Sequence, residues 1–234
     1  ITIDPITRLE GHGRIHIFLN SGGLVRRTVF QVPEFKGFEK FCEGRAAEEM
    51  PTLTEKICGV CPTAHHTAAS KALDDLFGVQ PPPAATVIRK LIYNAFIFED
   101  HLLHLYLLGG PDFFCGSDTP AGYRNIAGVV QKLGKDTILQ MMNIRKKVRS
   151  IIEILCGSAL YPVCGLPGGV SKPVSENQRD KILEISREAK SFALLTRKIF
   201  RKHFVGNRKF TELVRNESFC QRIYSMGMVD SQGR

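Results

Sequence analysis

Apolar and polar residues alternate through RIHIFLNSGGLVRRTVFQV, residues 14–32, on either side of Asn20-Ser21-Gly22-Gly23. Period-two alternation around a turn-forming cluster predicts a β-hairpin, the one strong strand signal in the chain. After Pro33 the period lengthens: Phe35, Phe38 and Phe41 recur at helical spacing, and Pro51 with a short threonine-rich stretch leads into KICGVCPTAHH, residues 56–66. From Pro62 to about Phe77 a helix is predicted, with His65, Ala69, Leu73 and Leu76 or Phe77 on one face and a stop near Gly78. The proline-rich QPPPAA then opens a long helix, about Ala84 to Leu108, with the stripe Val87, Leu91, Ala95, Phe98, Leu102 and Leu105 and a stop at Gly109-Gly110. Residues 119–133 read as a shorter helix, and about Gly134 to Leu155 as a long one carrying Ile138, Met142, Val148, Ile152 and Leu155. SALYPVCGLPGGVSKPV follows no period; a glycine- and proline-rich loop of that length is expected to make a contact of its own. Ser175 with Gln178 forms a capping box for a further helix to about Phe204.

The expected architecture is therefore mainly α, a small N-terminal β element over residues 1–32 followed by a helical bundle over 33–234. A chain of 234 residues, 43% hydrophobic, can bury a real core. Its most apolar run, YNAFIFEDHLLHLYLL, is interrupted by Glu99, Asp100, His101 and His104, so no membrane span is expected. The N-terminal ITIDPITRLEGHGR has neither a signal-peptide pattern nor an initiator Met. Seven scattered cysteines do not make a disulfide scaffold, which favours reduced thiols in a cytoplasmic setting. The net charge of +9 raises nucleic acid as a partner. The basic residues are dispersed at helical intervals and no nucleic-acid motif accompanies them, so they are expected on solvated faces or against an acidic partner subunit.

Cys58 and Cys61 are spaced so that both sulfurs can converge on one metal from a tight turn, and His65 follows one helical turn later on the same face. A structural zinc clip would need a fourth ligand and usually a second pair, and Cys156 and Cys164 are not spaced as one. A thioredoxin-like redox pair would need a βαβ context that is absent. Near the N-terminus, TRLEGHGR sets a carboxylate and an imidazole on either side of a glycine, suited to proton relay or to anchoring a turn.

Taken in order, DPITRLEGHGRI, KGFEKF, EKICGVCPTAHH, IFEDHLLHLYLLGGPDFF and GLPGGVSKPV resemble the N-terminal half of the nickel-iron hydrogenase large subunit, over nearly the whole chain. The details are most similar to the cytoplasmic, F420-non-reducing group, the methyl-viologen-reducing enzymes associated with heterodisulfide reductase. The resemblance implies reversible heterolytic cleavage of H2 at a nickel-iron centre whose iron carries CO and cyanide. By motif match Cys58 would be a terminal nickel ligand, Cys61 a bridging one, and His65 a hydrogen-bond donor to a ligand thiolate. Glu10 would be the proton-relay glutamate, and Asp100 the aspartate overhanging the open coordination position. Glu39 matches a carboxylate ligand of a structural magnesium, with a surface glutamate as the plain alternative. His101 and His104 belong to the family's helix pattern without a fixed role, and Cys42, Cys115, Cys156, Cys164 and Cys220 read as ordinary buried thiols. Partners implied are an iron-sulfur small subunit, heterodisulfide reductase and an electron-transfer subunit, since this sequence has no cluster-binding cysteine set.

Two departures stand out. Lys56 replaces the arginine usual before the cysteine pair, and the family's C-terminal DPCxxCxxH is absent, so the large-subunit-like fold is expected to be incomplete at its C-terminus and the isolated chain inactive. The rival readings are a complex I-like quinone or coupling protein, against which the intact Cys58 and Cys61 argue, and a non-catalytic assembly scaffold, which the missing pair favours.

Overall fold

The computed structural model describes residues 1–216 apart from Arg8, Phe35, Lys36 and Ser117, and gives the backbone alone for Lys209, Phe210 and Leu213. The expected hairpin forms as β2 (Arg14–Leu19) and β3 (Val25–Gln31), antiparallel with Ile15 opposite Phe30. Asn20 makes the turn, its Oδ1 accepting the backbone N–H groups of Gly22 at 3.0 Å and Leu24 at 2.9 Å. Local alternation did not announce β1 (Thr2–Ile3), which adds a third strand on the far side of β2. At two residues, a strand leaves no period to read.

The rest is mainly helical. Short α1 (Phe38–Cys42) and α2 (Met50–Thr54) precede α3 (Pro62–Phe77) and α4 (Pro83–Leu103), which runs on into π-helical turns at His104–Leu108 and Pro111–Cys115. Then come α5 (Ile126–Leu133), α6 (Lys135–Cys156), the two-residue strands β4 (Gly165–Leu166) and β5 (Gly169–Val170), and α7 (Glu176–Phe200). The capping box forms as expected: Ser175 Oγ accepts the Gln178 backbone N–H at 3.3 Å and Gln178 Oε1 accepts that of Ser175 at 3.0 Å.

The chain divides into two compact units, Ile1–Phe192 and Ala193–Arg234, with α7 crossing the division. The first unit's core joins Ile92, Ala95 and Phe96 of α4, Val148, Ile151, Ile152 and Leu155 of α6, and Ile182, Ile185 and Ala189 of α7. Tyr106 lies beside it with its ring 6.0 Å from both Phe114 and Phe192. In the second unit Phe200 and Phe204 stack at 4.7 Å, and α8 (Arg208–Arg215) follows.

The long helices stand where the periodicity puts them, the shorter one expected over residues 119–133 is helical only from Ile126 to Leu133, and some faces are turned. Val87 and Met142, expected in stripes, are exposed, while Ile92 and Met141 are buried. On α3 only Leu73 of the expected stripe is fully buried; Leu76 and Phe77 face out, and the packed side carries Thr63, His66, Ser70 and Asp74. Polar residues can take a buried face when they find hydrogen-bond partners, and the side chains of His66, Ser70 and Asp74 do. Of the thiols read as buried, only Cys164 is; Cys42, Cys115 and Cys156 are half-exposed, and Cys220 lies outside the described residues.

Candidate metal centre

Between Glu55 and Pro62 the chain turns twice. A 3-10 turn, Glu55–Ile57, ends on Cys58 in extended conformation (φ −134°, ψ 131°), and Cys61 stands at the N-cap of α3 (φ −118°, ψ 39°). Pro62 suits the first helical position because its missing N–H would have no partner there. The Cys61 backbone N–H donates to Cys58 Sγ at 3.2 Å, drawing the first sulfur over the turn. One turn into α3 the His65 N–H donates to the Cys61 carbonyl at 3.3 Å. The result is that the sulfurs of Cys58 and Cys61 and a ring nitrogen of His65 all lie within 4.8 Å of one another, half-buried, the one such group of three among the described residues.

Burial pushes the Cys61 thiol up to about 12, and the neighbouring Cys58 sulfur and the charges of Glu10 and Asp100 push the same way. Both carboxylates expected at this site are thus close enough for their fields to act on Cys61. Glu10 sits in the turn between β1 and β2, exposed, on the wall of a cavity of about 440 Å³ shared with Leu107, His104, Asp112 and Phe113. The turn needs Gly11, whose φ is +79° and whose missing Cβ would stand 3.0 Å from Glu34 Oε2. Beyond it His12 Nδ1 pairs with Glu34 Oε1 at 2.5 Å.

Asp100 is half-buried on α4, and its neighbour Glu99 explains its direction. Glu99 is 4% exposed and pairs with two arginines of α6, Arg145 Nε at 3.1 Å and Arg149 Nη2 at 2.7 Å. Successive helical residues point about 100° apart, so pinning Glu99 to α6 turns Asp100 away from α6. Glu39 lies exposed in the first turn of α1, outside any group of three metal-type donors among the described residues. His101 and His104 are exposed, with His104 edge-on to Phe113 at 6.4 Å.

Several residues holding the site have no sequence motif. His66, 3% exposed, accepts the backbone N–H groups of Cys164 (3.1 Å) and Gly165 (2.8 Å) at Nε2, and its Nδ1 reaches the Pro51 carbonyl at 3.0 Å. Gly165 can approach α3 so closely because it has no side chain: a Cβ there would stand 2.4 Å from Ser70 Oγ. Arg89 of α4 grips Asp74 of α3 with Nη1 (2.5 Å) and Nη2 (3.3 Å) and also donates to the carbonyls of Leu166 and Gly169. The long aperiodic loop therefore does make its contact, with α3 and α4 together. Glu55 is completely buried; Lys56 Nζ is 3.2 Å from its Oε1 but outside hydrogen-bond geometry, and the carboxylate accepts no hydrogen bond. The same ammonium lies 3.8 Å from the centroid of the Tyr161 ring, a cation–π contact that suits the lysine at this position.

A pair of cysteines and a histidine on a turn entering a helix, within reach of the charges of two carboxylates, is a donor set that could hold a metal ion, and comparison with known proteins gives the family of the chain. Residues 36–120 match the nickel-dependent hydrogenase family, and residues 1–35 match the HoxL-like family. An F420-non-reducing hydrogenase iron-sulfur subunit of Archaeoglobus profundus is 39% identical over 234 residues, 100% of this chain and 48% of that protein. A vhu-type F420-non-reducing hydrogenase subunit of Methanocaldococcus jannaschii is 36% identical over 99% of this chain and 52% of its own length. Among solved structures, an NAD+-reducing nickel-iron hydrogenase in its H2-reduced state superposes with a TM-score of 0.79 at 33% identity, over 90% of this chain and 47% of that one. The chain belongs to the nickel-iron hydrogenase large-subunit family. It spans about half the length of the curated relatives it matches.

Proposed function

We propose that this chain contributes one half of a nickel-iron hydrogenase centre, with Cys58 as a terminal nickel ligand, Cys61 as a thiolate shared with iron, and His65 as hydrogen-bond donor to one of those sulfurs. The observation that carries this reading is the convergence of two thiols and an imidazole within 4.8 Å, where the fields of Glu10 and Asp100 reach Cys61. The donor set fits the group. Two sulfur donors on one turn suit soft, electron-rich metals, and a bound cation would displace the proton that burial and nearby anions hold on Cys61. Two further thiolates would come from outside this cluster. When bound, the centre, its iron carrying CO and cyanide, supplies the Lewis acid that polarises H2 and takes up its electrons.

The chain's own residues handle protons. Glu10 takes a proton on a carboxylate oxygen and, from the wall of the cavity it shares with His104 and Asp112, passes it toward solvent. Asp100 holds its charge against the sulfur side of the site. A structural magnesium at Glu39 would take its other ligands from oxygens outside any group of three His, Cys, Asp or Glu side chains among the described residues. The reaction is reversible heterolytic H2 cleavage in the cytoplasm, with electrons leaving through an iron-sulfur small subunit, an electron-transfer subunit, then heterodisulfide reductase. Among the described residues no helix is long and apolar enough to cross a membrane.

The test is an infrared spectrum of the natively purified complex in the window of metal-bound CO and cyanide, with nickel analysis of Cys61→Ser alongside. Bands in the parent and loss of nickel in the variant are expected; a blank spectrum from intact material, or full nickel in Cys61→Ser, overturns the assignment. Glu10→Gln should keep both metals and slow hydrogen–water isotope exchange about 100-fold or more. An unchanged exchange rate removes Glu10 from the relay.

A further inference from the structure

Nothing in the proton and metal chemistry above uses Cys156 or Cys164. Cys156 closes α6, and Cys164 stands one residue before β4; their Sγ atoms lie 2.6 Å apart. That is inside the contact distance of two unbonded sulfurs yet longer than the roughly 2.05 Å of a disulfide bond, and both residues are free thiols. The approach is built from both sides. Gly157, in left-handed conformation (φ 80°), turns the chain out of α6 immediately after Cys156. Cys164, 4% exposed, is held by His66, which accepts its N–H and that of the next residue. Those two N–H groups occupy the one lone pair of His66 Nε2, so the imidazole cannot complete a metal site with the two sulfurs.

We propose that Cys156 and Cys164 form a reversible redox pair, oxidised to an intramolecular disulfide by low-molecular-weight disulfides, which locks the loop from Cys156 to Cys164 between the end of α6 and α3. The asymmetry of burial gives the order of events. Cys156 is half-exposed and meets the oxidant; Cys164 is enclosed and resolves. Cys156 gives up its proton to solvent as its sulfur attacks the small disulfide RSSR, expelling RS⁻, which takes up a proton to become RSH, and leaving a mixed disulfide. Cys164 then attacks the Cys156 sulfur as a thiolate, expelling the second RS⁻, and the proton that Cys164 gives up is matched by the one that turns this RS⁻ into RSH. In total two protein thiols lose two electrons and two protons, and one RSSR becomes two RSH. The hydrogen bond from Cys156 brings the Cys164 thiol down to about 6, which suits Cys164 to the second, resolving attack, while Cys156 is raised and takes the first step by virtue of its exposure.

The disulfide would act on the site only through α3. His66 binds the Cys164 backbone and follows His65 directly, so the latch and the candidate metal ligands share the first two turns of one helix. The pair does not depend on the hydrogenase reading, and its chemistry is measured without activity.

The native complex, prepared anaerobically, would be equilibrated in glutathione buffers of increasing oxidised fraction, quenched with acid and N-ethylmaleimide, and mapped by peptide mass spectrometry. The expected result is loss of both alkylated peptides together, a linked Cys156–Cys164 peptide lighter by two hydrogens, and its return to thiols with dithiothreitol. Recovery of both cysteines alkylated in fully oxidised buffer overturns the proposal, as does a glutathione adduct on Cys156 that persists in the parent. Cys164→Ser should trap that adduct, since the resolving sulfur is gone; failure to form it in a folded variant also overturns the proposal. Should the variant not fold, the parent measurement still decides.

Discussion

Removing Arg89 offers the sharpest test of how this scaffold is held. The guanidinium is 13% exposed and its partner Asp74 11%, so both charges are largely out of water. Nη1 and Nη2 meet the two oxygens of Asp74, Nε and Nη2 donate to the Gly169 carbonyl (3.1 and 2.8 Å), and Nη2 also reaches the Leu166 carbonyl at 2.6 Å. Arg89→Ala leaves Asp74 with the Gly168 N–H (2.8 Å) and the charge of Lys71, and strips the carbonyls of β4 and β5 of their shared partner. Breaking a buried pair from one side costs about 3–5 kcal/mol, and the slight exposure here puts the expected loss near the lower end, about 3 kcal/mol. Arg89→Lys keeps the charge but not the planar fork, and should cost about 1–2 kcal/mol. Urea unfolding followed by circular dichroism would measure both, with Asp74→Ala and the double variant closing a cycle. The reasoning fails if Arg89→Ala lies within about 0.5 kcal/mol of the parent, or if it costs as much in the Asp74→Ala background as alone.

Other consequences are as direct. Burial lifts the Asp74 carboxyl, but hydrogen bonds from Arg89 and Gly168 outweigh it and its pKa is lowered; the stability this supplies is present above the unfolded value of about 3.9 and is lost as pH falls through the lower folded value, so the urea midpoint should drop as the pH is taken below about 4 in the parent and less steeply in Asp74→Asn. Glu55→Leu exchanges a buried carboxylate that accepts no hydrogen bond for an apolar side chain, and should leave stability equal or higher in thermal unfolding; a loss above about 2 kcal/mol would mean the carboxylate has a partner it needs. Glu99→Gln should destabilise by about 2–4 kcal/mol by leaving Arg145 and Arg149 without their shared anion, measured by the same unfolding assay. Gly165→Ala should cost about 1–3 kcal/mol, since its methyl group would meet Ser70, and unchanged stability would contradict the close approach of β4 to α3.

What the sequence disclosed and what it withheld divide along a physical line. The long helices, the hairpin and the capping box are local, each set by a period or a cap within a few residues, and each was legible. Cys58, Cys61 and His65 were legible for the same reason, because a CxxC turn and one helical turn bring them together without help from the rest of the chain. Which side of a helix turns inward is not local. On α3 the apolar residues Leu76 and Phe77 suggested one face, but the buried side is chosen by partners far away in sequence: Cys164 and Gly165 for His66, Arg89 for Asp74. The convergence of Cys156 with Cys164 is of the same kind, since only the fold of the intervening loop makes them neighbours.

That distinction accounts for the two adjacent carboxylates on α4. In the sequence Glu99 and Asp100 are the same interruption of an apolar run, and nothing in composition or period separates them. In the fold one is enclosed between two arginines, and the other lies where its charge helps raise Cys61. The fixed one gives the other its aim: a helix clamped by a buried ion pair cannot rotate to carry Asp100 away from Cys61. Glu99 can serve as that clamp only because Arg145 and Arg149 hold its charge out of water. The aim of Asp100 is therefore set by two cations of α6 that take no part in the chemistry of the site.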